Sequence, residues 1–250
     1  IAKITDFDGP STGAWVRSAQ ITYFIRPNQD QDISIGLEVP IIDYGRYFLI
    51  DTLVTPANQT VPDLVSHWEM RWPSGHFQIA GVVRAIEYKN AANKNIYNLG
   101  GASVLQNVED FQKDVLVYQA AYAYGISRYL VSFGGGGWDA VPDTKRNLDL
   151  VPIYGGYVGY QLFWGKKNYA NATLTLEFNF VYGYVNLDNP QYPTLGNQTL
   201  LTGSYASANL YWHIVKPMNI AIEGIYGFRT DEFLSSGDNL RIQMVVEYNF

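Results

Sequence analysis

Ionisable side chains recur at alternate positions along this chain. Glu38 sits between Leu37 and Val39; His67, Glu69 and Arg71 alternate with Trp68, Met70 and Trp72; His76 and Arg84 keep step with Gln78 and Tyr88. Farther on, Glu177, Glu223, Arg229, Arg241 and Glu247 stand in the same relation to apolar neighbours. Residues two apart in an extended chain project to one side. These side chains therefore share faces of mixed charge, which attract, repel or hydrogen-bond small solutes. Bond-breaking chemistry asks for more, a nucleophile held against a base with a third group orienting it. No serine stands out as a partner for His213, and the absence of cysteine removes thiolate catalysis, disulfides and thiolate zinc sites. His67 and His76 can approach across a tight hairpin, but the sequence offers no third metal ligand beside them. The run Gly134–Gly137 is followed by Trp138 and Asp139 instead of the Lys-Ser/Thr of a phosphate loop, and reads as a flexible surface loop. No metal and no cofactor is implied. A net charge of −6 argues against nucleic acid as a partner.

The elements that must carry these residues are strands. Residues 240–250 put Leu240, Ile242, Met244, Val246, Tyr248 and Phe250 on one parity, with Arg241, Gln243, Glu247 and Asn249 on the other. A strand about that long, apolar on one side and polar on the other, suits one tilted across a bilayer. The same alternation places strands at residues 14–25, 33–40, 65–72, 76–89, 96–106, 115–129, 148–164, 169–184, 200–214 and 219–230, about eleven in all. The segment beginning at Ile96 is diluted by Gly100 and Gly101. Turns near Arg26, Pro73, Val108, Gly165 and Val215 are short, and the connections between them are longer. Short turns at one end and long loops at the other are the asymmetry of outer-membrane barrels, and the parity holds only if the Ile96 strand exists.

Composition agrees. Aromatic residues make up 15% of the chain and charged residues only 16%. Tyr and Trp suit the girdles where hydrocarbon meets water. No segment approaches the ~18 consecutive apolar residues of a membrane helix. The expectation is an all-β, transmembrane antiparallel barrel, in a bacterial outer membrane, with Phe250 presented to the barrel-assembly machinery and lipid against the apolar face.

Several stretches carry a family resemblance: DFDGP (residues 6–10), YGISRYL (124–130), YGGYVGYQLFW (154–164), SYASANLYW (204–212) and YGFRT (226–230). In order and spacing they resemble the DcaP-like trimeric porins of Gram-negative bacteria, over almost the whole chain. The resemblance implies a barrel of about sixteen strands, so residues 1–250 are expected to be a single barrel domain lacking N-terminal strands, as a fragment or as one chain of a split barrel. It also implies a homotrimer, passive diffusion of small hydrophilic solutes, and arginines that attract small dicarboxylates. Arg71 and Arg84, on neighbouring strands, are the arginines chosen for that role, although the acidic excess of the chain works against anions. Two other readings compete: an outer-membrane barrel enzyme of lipase or protease type, and a soluble β-sandwich binding module. The enzyme needs a Ser-His pair, and the sandwich needs strands of about five or six residues.

Overall fold

A computed structural model describes residues 13–14, 17–43, 58–89, 95–111, 114–130, 133, 137–142, 148–164, 175–188, 200–215, 217–232 and 234–248. Phe250, the DFDGP stretch and Gly134 to Gly136 lie outside the described residues.

The strands are β1 (Gln20–Asn28), β2 (Gln31–Glu38), β3 (Asp63–Trp72), β4 (Gly75–Lys89), β5 (Asn95–Phe111), β6 (Asp114–Tyr124), β7 (Ala140–Pro142), β8 (Leu148–Leu150), β9 (Pro152–Trp164), β10 (Thr175–Leu187), β11 (Leu200–Val215), β12 (Met218–Asp231) and β13 (Ser236–Tyr248). Eleven of them form one antiparallel sheet in the order β1-β2-β3-β4-β5-β6-β9-β10-β11-β12-β13. Each strand pairs with its neighbour in the chain, the up-and-down connectivity of a barrel wall. Among the described residues β1 pairs with β2 alone and β13 with β12 alone. The connections after β1, β3, β5 and β11 span two residues each and fall at one end of the sheet, where β9 and β10 lie ten residues apart; at the other end the separations run from four residues, between β12 and β13, to twenty-seven, between β6 and β9.

The segment at Ile96 is a strand and the longest of the sheet, with 17 residues. Its glycines serve pairing: a Cβ on Gly101 would lie 2.8 Å from the Val82 carbonyl oxygen, so a side chain there would push β4 and β5 apart. Other boundaries moved. The first strand starts at Gln20 rather than residue 14, and Ala14 instead makes an isolated bridge to Leu130. The turn expected from Val108 is displaced because β5 runs to Phe111. The strand expected over 148–164 is divided: β8 pairs with β7 in a separate two-stranded sheet, and β9 begins at Pro152.

Facing follows the alternation. Tyr118, Tyr122, Tyr160, Phe180, Tyr182, Ile222 and Tyr226 are exposed on one side, and Ile242 and Met244 of β13 are each 71% exposed. On the other side Gln119, Glu177, Asn179, Ser207, Asn209 and Glu223 are buried. Phe180 is thus open to the surroundings of the sheet, as a lipid-facing residue must be.

Of the glycine-rich run expected as a surface loop, Gly134 to Gly136 lie outside the described residues, but Gly137 is buried. The described residues between β6 and β9 fold back across the polar face. They include a short 3-10 turn, Ser127–Tyr129, and the β7–β8 hairpin. Leu130, Phe133, Val141 and Val151 pack with Ala121, Ile153, Val185 and Leu187 of the wall, while Ala140 and Leu148 pack with Ile86 and Tyr88. Each large apolar side chain buried this way contributes about 1.5–3 kcal/mol. The glycine-rich run is flanked by buried Phe133 and half-buried Trp138. Entry into the segment needs Gly125, whose φ of 64° is a left-handed conformation.

Gly156 gives one test of the wall. A Cβ there would sit 2.4 Å from the Gln119 carbonyl oxygen on β6. Gly156→Ala is expected to cost about 1–3 kcal/mol by forcing β6 and β9 apart. It should lower the temperature at which the folded band in detergent gels converts to the unfolded one; an unchanged conversion temperature would show that the wall absorbs the methyl group.

Candidate functional site

The inserted segment divides the polar face into three regions. The first is a buried clasp. Arg84, from β4, donates through one terminal nitrogen to the Gly125 carbonyl and to Asp139 Oδ2, both at 2.8 Å. Its other terminal nitrogen donates to the Ile41 carbonyl and to Gln59 Oε1, both at 2.5 Å, and Asp63 Oδ1 lies 3.4 Å from its Nε. Arg128, from the inserted segment, reaches Glu38 Oε1 at 2.6 Å and the Ile41 carbonyl at 2.7 Å. The Tyr129 hydroxyl donates to Asp63 Oδ2 at 2.7 Å, and its ring lies 4.9 Å from the Arg128 guanidinium. Ser127 Oγ donates to Asp139 Oδ1 at 2.9 Å. Burial pushes the Asp139 carboxyl above the ordinary carboxylate range, outweighing the opposite pull of Arg84. Burial also raises the Tyr129 hydroxyl, with Asp63 beside it acting the same way, so Tyr129 stays a neutral donor.

The second region is a polar ladder on β10 to β13. Asn179, Asn209, Glu223 and Gln243 are directly opposed on successive strands. Asn179 Nδ2 donates to Asn209 Oδ1 at 2.8 Å, Asn209 Nδ2 to Glu223 Oε1 at 3.2 Å, and Gln243 Nε2 to Glu223 Oε2 at 2.9 Å. A second rung joins Glu177 Oε2 to His213 Nε2 at 3.1 Å, His213 Nδ1 to Asn219 Oδ1 at 2.8 Å, and Asn219 Nδ2 to Glu247 Oε2 at 3.3 Å. Such rungs satisfy buried carboxylates without apolar contact.

The third region is a cavity of about 350 Å³ over the polar face of β1 to β6. Gln78, Gln106 and Gln119 line one side, His67 and Ser34 the other, and Ile126 and Tyr129 of the inserted segment also face it. Ser34 Oγ lies 2.5 Å from His67 Nδ1.

The sequence-chosen residues are thus scattered over the face. Arg84 and Glu38 belong to the clasp; Glu177, Glu223 and Glu247 to the ladder; His67 to the cavity. Glu69 and Arg71 lie by the short-turn end, where Arg71 bonds Asp32 and Glu69, and His76 is paired opposite Arg71. Arg229 bonds Asp231 at 2.6 Å near the opposite end of the sheet and lines a second cavity of about 590 Å³, and Arg241 is exposed on β13. Arg71 and Arg84 do not converge. At about 3.3 Å per residue they are on the order of 25 Å apart along the β3–β4 hairpin. Arg84 faces the polar side as its parity requires, but its side chain has 0% exposure, because Gly125 and Asp139 of the inserted segment and Ile41 and Gln59 from between β2 and β3 close around it; it is not a wall charge open to solute.

Sequence reasoning missed Asp63, Arg128, Tyr129 and Asp139, and the glutamine row. One signal was available: over residues 181–185 both faces of β10 are apolar, which a bare polar face would not need. Among the described residues no cluster of three or more His, Asp and Glu side chains converges as a metal site would require.

No protein-family model and no curated protein matches the sequence. Among solved structures, the chain is similar to the crystal structure of the outer membrane channel DcaP of Acinetobacter baumannii, with a TM-score of 0.82 and 17% identity. The superposition covers 99% of this chain and 67% of that one. The two share the fold of an outer-membrane β-barrel channel, reached with few residues in common.

Proposed function

We propose that this chain forms the wall of an outer-membrane channel through which small hydrophilic solutes diffuse passively, without catalysis. The observation that carries the reading is the division of one eleven-stranded sheet into an exposed apolar face and a hydrogen-bonded polar face. Hydrocarbon on one side and water on the other explains both faces at once. The shared fold with a solved channel supports the same conclusion. An open β edge in hydrocarbon costs several kcal/mol per unsatisfied group, so the assembled channel needs strands paired to β1 and β13. The trimer implied by the family resemblance is kept as the assembly.

The test is stepwise conductance in planar bilayers from protein extracted in assembled form; a preparation that stays folded and gives no conductance steps would overturn the reading. Dicarboxylate attraction requires a guanidinium open to the passage. Arg71, with 42% side-chain exposure, is the candidate, and it already shares its charge with Asp32 and Glu69. With a net charge of −6, the channel is expected to prefer cations under a salt gradient, and Arg71→Ala to shift the reversal potential further that way. An unchanged potential would remove Arg71 from the conduction path.

A further inference from the structure

Gln78, Gln106 and Gln119 are consecutive members of one row: Gln78 is directly opposed to Gln106, and Gln106 to Gln119. Directly opposed side chains on one face sit about 5 Å apart, so the row presents a short comb of primary amides. Gln119 is partly spent, since its Oε1 accepts from the Ala14 amide at 3.3 Å. The side-chain amides of Gln78 and Gln106 have no hydrogen-bond partner among the described residues. Beside the comb the cavity floor is apolar and shallow, with Ala80 and Val104 opposed on β4 and β5. On its far side stand Ser34 and His67. The described lining contains no Lys, Arg, Asp or Glu. The nearest guanidiniums stand against the Tyr129 ring, and each is closed by buried carboxylates.

The geometry points to a subsite for a neutral polyhydroxylated solute of monosaccharide size, held by the Gln78–Gln106 amides with its less polar ring face on the Ala80–Val104 floor. A cavity of about 350 Å³ is at the small end of ligand sites. Each amide offers both a donor and an acceptor, which matches a hydroxyl, itself both donor and acceptor. A carboxylate accepts only, so it would use the amide nitrogens, leave the amide oxygens without donors and meet no Lys or Arg in the described lining to offset its desolvation. This inference rests on the channel reading and names the solute class for it.

The experiment uses the assembled protein with D-glucose and succinate as probes, in two arms. In planar bilayers glucose is expected to reduce the ion current at concentrations where succinate does not. In equilibrium dialysis of detergent-extracted protein, glucose is expected to be retained. Gln78→Leu with Gln106→Leu should raise the half-effective glucose concentration about tenfold, since each hydrogen bond is worth a factor of roughly two to ten. Gln106→Lys, which places a cation in the row, should reverse the order of the two probes, and it tests the subsite independently if the double variant does not fold. Succinate acting at lower concentration than glucose, or a folded double variant with parental glucose response, would overturn the subsite. Conductance without glucose binding sinks the subsite alone, whereas glucose binding without conductance sinks the channel reading alone.

Discussion

Replacing Arg84 with alanine is expected to release the segment between β6 and β9 from the polar face while leaving the wall intact. The guanidinium is bonded to the Gly125 and Ile41 carbonyls, to Gln59 and to Asp139. Asp63 and Asp139, both 0% exposed, would then be left in a buried site with less positive charge. Removing one partner of a buried pair typically costs about 3–5 kcal/mol, because the remaining charge is neither hydrated nor paired. The ledger is one-sided here: the apolar contacts of Leu130, Phe133 and Leu148 survive the substitution, but they must hold the segment against uncompensated carboxylates. Two readouts follow. Limited proteolysis should cut within residues 125–151 of the variant under conditions that spare the parent, and single-channel conductance should rise as the cross-section opens. A variant with parental conductance and parental resistance to protease would mean that apolar packing alone positions the segment. Arg84→Lys should fall between the two, since an ammonium keeps the charge but cannot serve four acceptors in the geometry of the fork.

Phe180→Arg is expected to impair assembly severely. Phe180 lies near the middle of β10, opposed to Tyr160 on one side and Ala208 on the other, and is 46% exposed on the apolar face. An arginine at the bilayer midplane costs about 2–4 kcal/mol, falling to about 0–1 kcal/mol near the interfaces. Tyr184→Arg, nearer the strand end on the same face, should therefore be much milder. The folded fraction in detergent gels, and its loss on heating, measures both. Equal effects at the two positions would point to a protein partner over this face instead of hydrocarbon, because a bilayer alone grades the penalty by depth. Leu176, which the alternation alone places at mid-strand, is one residue from the start of β10 and so is a poorer probe than Phe180.

What the sequence determined by itself was the wall: the number of strands in the main sheet, which face of each is apolar, and where four of the five expected tight turns fall. These are local properties. Leu240, Ile242 and Met244 face one way because a pleated chain alternates, whatever surrounds it. Even the diluted strand at Ile96 was recoverable, because the parity of the turns demanded it. The clasp and the cavity were decided by tertiary structure. Arg128 meets Glu38 across 90 positions of sequence, and Arg84 meets Asp139 across 55. Nothing in the spacing of those residues distinguishes an arginine open to solvent from one covered by a returning segment. YGISRYL at residues 124–130 was visible as a motif, but its meaning was not: Gly125 turns the chain inward, and Arg128 and Tyr129 fasten it there. Alternation tells which side of a sheet a residue faces; only the fold of the whole chain tells what lies on that side.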